Sequence, residues 1–111
     1  MAILILSDRC TESQISQMEE IYGSKIKLAV DIAKEVLAGG GEMHADCEEV
    51  LLNSGSHQKD VWGADWIRAE REVEFESFIN IRPRQGNRSM EIQDSNIRAK
   101  VEDVVRRILD I

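Results

Sequence analysis

Two alternating stretches, separated by a gap short enough for a hairpin, constrain this chain more than any other feature. Val73, Phe75, Ser77, Ile79 and Ile81 alternate with Glu72, Glu74, Glu76, Phe78 and Asn80, the period-2 pattern of a half-buried strand. Upstream, Trp62, Ala64 and Trp66 alternate with Val61, Gly63, Asp65 and Ile67. A loop from Ala69 to Glu72 brings Trp66 opposite Phe75, Ala64 opposite Ser77 and Trp62 opposite Ile79, with both apolar faces on one side. A one-residue slip would turn one strand's apolar set towards water, so the hydrophobic pattern sets the register. The same match makes the two tryptophans core residues rather than a platform for stacking bases.

The register carries an electrostatic cost. It sets Asp65 directly across from Glu76, and facing like charges destabilise a sheet. Either a cation sits between them or one carboxyl keeps its proton.

The flanking elements follow from local signals. Residues 2–6 form a short edge strand. Thr11 caps a helix from Glu12 to Tyr22, with Gln14 closing a capping box and Gly23 as its stop. Asp94 or Ser95 caps a C-terminal helix in which Ile97, Val101, Val104, Val105 and Ile108 line one face. Glu102–Arg106 and Asp103–Arg107 form i,i+4 pairs on the other. Between these helices, Ile26, Leu28, Val30 and Ile32 alternate as in a strand. Yet Ile26, Ala29, Val30, Ala33, Val36 and Leu37 also fit a helical stripe, and periodicity alone does not arbitrate. Antiparallel strands packed by helices make an α+β fold. With one proline and no Ser/Gly linker, residues 1–111 form a single domain.

Composition narrows the classes of function. The chain carries 21 acidic and 14 basic residues, a net charge of −7, which argues against bulk coating of nucleic acid or of an anionic membrane. No uncharged run exceeds the nine residues from Val50 to Gln58, too few to span a bilayer. The Met1–Leu6 stretch lacks the basic flank and length of a secretory signal, and Cys10 and Cys47 form no CxxC pair. A cytoplasmic protein is the expectation.

Three places hold chemistry. The run from Phe78 to Met90 contains three arginines and no acid, leaving −10 for the rest of the chain. Guanidinium forks and amides suit bidentate recognition of carboxylate or phosphate, so Asn80, Arg82, Gln85, Asn87 and Arg88 form a candidate ligand site. Gly86 permits a turn that returns Arg88 towards Arg82, with an anion between them. The competing reading pairs both arginines with Glu76, Glu74 or Asp65. A second constellation is Glu42-x-His44-x-Asp46-x-Glu48: on an extended segment these side chains share a face, and His44 with Asp46 makes a candidate metal pair. The alternative there is a helix capped by Asp46 with Glu49 at its third position and Gly55 as its stop. The cysteines have no basic neighbours in sequence and read as small apolar residues.

The stretches Gly40-Gly41-Glu42-Met43-His44-Ala45-Asp46, Asp60-Val61-Trp62-Gly63-Ala64 and Phe78-Ile79-Asn80-Ile81-Arg82-Pro83-x-Gln85-Gly86-Asn87-Arg88-Ser89-Met90-Glu91-Ile92 resemble a domain-of-unknown-function family of short prokaryotic proteins. The likeness covers nearly the whole chain. It implies two strands, 26–32 and 36–44, around a turn where Glu35 stands in place of the family's glycine. It also places His44, Asp46, Trp62, Asn80, Arg82, Gln85, Asn87 and Arg88 in the family pattern, without assigning an activity or a cofactor. The reading is an antiparallel sheet of four or five strands packed by an N-terminal and a C-terminal helix. Its function is a binding or regulatory module for an anionic small molecule or an acidic protein partner. The alternatives are a metal-assisted hydrolase using His44 and Asp46, and one subunit of a hetero-complex such as a toxin–antitoxin pair.

Overall fold

In chain order the elements are β1 (Leu4–Leu6), α1 (Glu12–Met18), β2 (Lys25–Asp31), β3 (Val36–Gly39), α2 (His44–Asn53), β4 (Val61–Ile67), β5 (Glu72–Glu74) and α3 (Ser95–Leu109), in a computed structural model that describes residues 3–111. The five strands form one antiparallel sheet in the order β1-β3-β2-β4-β5. Ala2, placed in the first strand by sequence, lies outside the described residues.

The ambiguous segment is a hairpin. Asp31, buried at the end of β2, decides the matter: its Oδ1 accepts from the amides of Ala33 and Lys34, and its Oδ2 from the Ser56 hydroxyl. That side chain holds the backbone in a turn, a favoured role for aspartate. Glu35 closes the turn at φ +58, the left-handed conformation that glycine would adopt without strain. The second strand ends at Gly39 rather than at residue 44, because the chain turns at Gly40 into α2.

Each face of the sheet has its own core. Ile26, Leu28, Val30, Trp62, Ala64 and Trp66 pack against Ile15 and Met18 of α1 and the apolar stripe of α3. Ala29, Ala38 and Val61, on the opposite face, pack under Cys47 and Leu51 of α2. Helix α2 is therefore a third packing helix, beyond the two expected. Its cap is Met43, with Asp46 at the third position returning a carboxylate to the Met43 amide, so the helix starts earlier than an Asp46 cap would allow.

Two expected helices are adjusted. Helix α1 has the Thr11–Gln14 capping box but stops at Met18, and residues 19–23 continue as turns that free the Tyr22 hydroxyl to donate to the Glu42 carbonyl. In α3, Asp94 is the cap and Glu102 pairs with Arg106, but Arg107 ignores Asp103. It donates instead to the carbonyls of Ser7 and Glu35, while the Cys10 amide donates to the Ile108 carbonyl.

The tryptophan hairpin shows where the sequence pattern holds and where it fails. The loop spans 68–71, with Arg71 at φ +53, and the register is Trp66 opposite Val73 and Asp65 opposite Glu74. This differs by two residues from the expected register, which preserves the faces: Phe75 packs against the first core, the cluster that holds both tryptophans. Beyond Glu74 the expected strand breaks. Ser77 accepts from the Ile79 amide and caps a 3₁₀ turn over Phe78–Asn80, which carries Ile79 to the second core, away from Trp62.

The break lets 75–80 lie directly against β4. A Cβ placed on Gly63 would sit 2.5 Å from Ser77 Cβ and 2.9 Å from Ile79 Cγ1. Ser77 is buried and its amide is tied to the Met90 carbonyl, so it has no room to retreat. Gly63→Ala is expected to cost about 2 kcal/mol, the usual penalty of overpacking, read as a lowered urea midpoint. An unchanged midpoint would show that the segment does not press on β4.

Candidate functional site

The polar motif after β5 folds inward. Pairing between β4 and β5 ends at Asp65–Glu74, leaving the outer backbone of Gly63 and Val61 without a strand partner. Asn80 takes the place of that strand: its Oδ1 accepts from the Gly63 amide at 2.8 Å and its Nδ2 donates to the Gly63 carbonyl at 3.0 Å. Nδ2 also reaches the carbonyls of Phe75 and Met90, tying both ends of the excursion together.

Arg82 continues the substitution. Its guanidinium donates to the carbonyls of Ile79, Gln58 and Val61, to Gln85 Oε1, and at 3.5 Å to Glu48 Oε2. Those five contacts match the five N–H donors an arginine possesses. The group is buried and stacks over the Trp62 ring at 4.4 Å. Burial pushes the Glu48 carboxyl up and the Arg82 guanidinium down, so desolvation outweighs the attraction between them. The internal carboxylate is thus Glu48 of α2, not Glu74, Glu76 or Asp65.

Gln85 and Asn87 complete the loop. Gln85 Nε2 donates to the Lys59 carbonyl, and Asn87 Nδ2 to the carbonyls of Asn80, Ser89 and Glu91. Arg82 and Asn87 exchange backbone hydrogen bonds around Pro83–Gln85, and Gly86 makes the turn at φ +80. Arg88 does not return to Arg82: its side chain is exposed, and among the described residues only its amide is held, by Gln93 Oε1. Asn80, Arg82 and Asn87 therefore build the loop, and Arg88 stands on its outside with Arg84.

His44 and Asp46 also part company. In a helix, His44 and Glu48 share a side at i,i+4, and both turn to the sheet: His44 Nε2 lies 2.7 Å from Asp65 Oδ1, and Glu48 meets Arg82. Asp46 is exposed and caps its own helix. Among the described residues no three His, Cys, Asp or Glu side chains gather as a metal site.

His44 overhangs a groove of about 470 Å³ that the sequence reading did not anticipate. Lys25, Lys27, Asp65 and Glu74 lie in it, with Glu76, Phe78, Met90 and Arg98 along its walls. The repulsion anticipated at Asp65 is real but involves Glu74, and Lys25 resolves it with Nζ 3.6 Å from Asp65 and 3.5 Å from Glu74. Asp65 holds the Lys25 ammonium above its usual range. The period-2 pair Lys25 and Lys27 was the available sequence signal, but only the register places it beside Asp65.

Behind α2, Cys47 is fully buried with its Sγ near the Lys27 carbonyl, and burial pushes its thiol up to about 11. It is a packing residue, not a nucleophile.

A family model described as "Protein of unknown function (DUF5674)" matches residues 4–108. No curated protein and no solved structure matches the chain.

Two outcomes follow from the buried groups. Arg82→Ala strands three carbonyls and the Glu48 carboxylate, so denaturant unfolding is expected to show a loss of about 3 kcal/mol. Arg82→Lys recovers little of it, because an ammonium cannot copy the planar fork. Cys47 sets an alkaline limit. Above the ordinary thiol value of 9.0 the unfolded chain loses this proton while the folded chain keeps it until about 11. Stability therefore falls as pH rises across that window, by about 2 kcal/mol. Cys47→Ala should flatten this slope in melts from pH 8 to 11; an unchanged slope would remove Cys47 as its source.

Proposed function

Because the chain belongs to DUF5674, a family of unknown function, it brings no activity with it, and we propose from geometry that it is a small binding module whose 78–90 loop docks an acidic segment of a protein partner. One observation carries the reading: the loop divides its residues by direction. Asn80, Arg82 and Asn87 are buried and lock its shape, while Phe78 is 73% exposed and Ile81 44% exposed, with Arg84 and Arg88 exposed beside them in sequence.

A loop fixed from within costs little entropy to order on binding, and a large aromatic with arginines at its rim is the composition of interface anchors. The sign of the partner follows from charge. The stretch from Phe78 to Met90 carries three arginines and no acid in a chain of net −7. An extended polyanion would meet the acidic remainder, whereas a short acidic segment touches only the loop. Arg84 and Arg88 lie outside the groove beneath His44, which favours a protein segment over an enclosed small anion. Such a module fits equally well as one half of a hetero-complex.

Selection of displayed random peptides on the protein tests this. Enriched sequences are expected to combine Asp or Glu with one large apolar residue. The double variant Arg84→Glu, Arg88→Glu should bind them at least tenfold more weakly while melting within about 2 °C of the parent, because both side chains are exposed. Selected peptides without acidic bias, or binding untouched by the double variant, would overturn the proposal.

A further inference from the structure

The two edges of the sheet are finished differently. Exposed Glu72 and Glu74 stand on β5, and charges on an edge strand deter the addition of another strand. At the other edge β1 reads Leu-Ile-Leu and carries no charge. We propose that β1 is a docking edge, which takes up an extended segment of a protein partner with basic and apolar residues in alternation.

The ladder fixes which groups are free. The Gly40 amide donates to the Lys27 carbonyl, and hydrogen-bonded pairs alternate along an antiparallel ladder. Ala38 therefore bonds to Ala29 of β2, while Leu37 and Gly39 turn their backbones to Leu6 and Leu4 of β1. The amide and carbonyl of Ile5 point away from the sheet, and no group among the described residues bonds them. Its side chain is 44% exposed as well. An added strand finds there the main-chain pair it needs.

Charge selects the occupant. Ile5 faces Ala38 on the side of the sheet that α2 covers, and Ile3 packs there too. Ile3 Cδ1 lies 3.2 Å, and Asp46 Cβ 3.4 Å, from the position a Cβ on Gly41 would take, so Asp46 borders this face. Exposed Glu49 follows about one helical turn later on the same side. Neither carboxylate makes an ion pair among the described residues. Lysines or arginines on the α2 side of an added strand meet both, with their stems covering Ile5. On the other face half-buried Leu4 belongs to the first core, so the intervening residues are apolar. A second copy fits badly, because a two-fold axis at Ile5 would bring two such acidic borders to one side of the joined sheet.

The probe is the capped hexapeptide acetyl-Lys-Val-Lys-Val-Lys-Val-amide, measured by isothermal titration beside its Glu-Val counterpart and a form methylated at every backbone nitrogen. The Lys-Val peptide is expected to bind, and both controls at least tenfold more weakly. Ile5→Pro should weaken it at least tenfold, since proline is tolerated where the N–H faces solvent yet cannot donate to a new strand. Asp46→Asn combined with Glu49→Gln should weaken it at least threefold. The asparagine oxygen still accepts from the Met43 amide, so this variant keeps the helix cap and decides the matter if Ile5→Pro fails to fold. The Arg84→Glu, Arg88→Glu variant should bind the peptide as the parent does, which separates this edge from the docking loop. No binding of the Lys-Val peptide, equal binding of either control, or indifference to the Asp46→Asn, Glu49→Gln variant would overturn the proposal.

Discussion

The structure depends on how the outer edge of β4 is closed. Strand β5 covers only its last three residues, from Asp65 to Ile67, and an uncovered edge of a sheet leaves backbone groups open to any other chain. Here side chains finish what the strand begins. Asn80 reproduces the donor–acceptor pair of a strand residue on Gly63, and Arg82 takes the carbonyl of Val61. An asparagine amide has the same groups as a peptide unit, so the substitution is chemically close. Gly63 permits it, since any side chain there would hold the excursion away from the sheet.

That closure organises the second face. By drawing 75–82 against β4, it places Ile79 in the core beneath α2 and presents Arg82 to Glu48. Helix α2 is thereby held by two polar contacts along one side, beside its apolar pair Cys47 and Leu51: His44 on Asp65 and Glu48 on Arg82. The groove and the docking loop are two sides of the same construction. One opens where β5 and the excursion part from the region under His44, and the other is the excursion's outer surface.

The sequence told faces better than partners. Alternation correctly put Trp62, Trp66 and Phe75 together, because a two-residue slip leaves parity unchanged. It could not give the true register, which is set by where the loop closes, with Arg71 in the left-handed region. Nor could it foresee the break at Ser77, where a hydroxyl capping its own backbone outcompetes a continuing strand. The arginines of the motif are equivalent as letters. Arg82 turns in and Arg84 and Arg88 turn out because Pro83 and Gly86 reverse the chain between them. The acidic neighbours of His44 at period 2 are not its partners: its ring meets Asp65, 21 residues away.

The last turn of α3 has a consequence for how the chain is made. It holds the Cys10 amide at Ile108, and the Ser7 and Glu35 carbonyls at Arg107, so contacts spanning about a hundred residues secure the segment after β1. During synthesis the first strand emerges long before the residues that clamp it. The ribosome must release almost the entire domain before that edge of the sheet can be secured, and until then Leu4 and Leu6 depend on the β2–β3 hairpin alone.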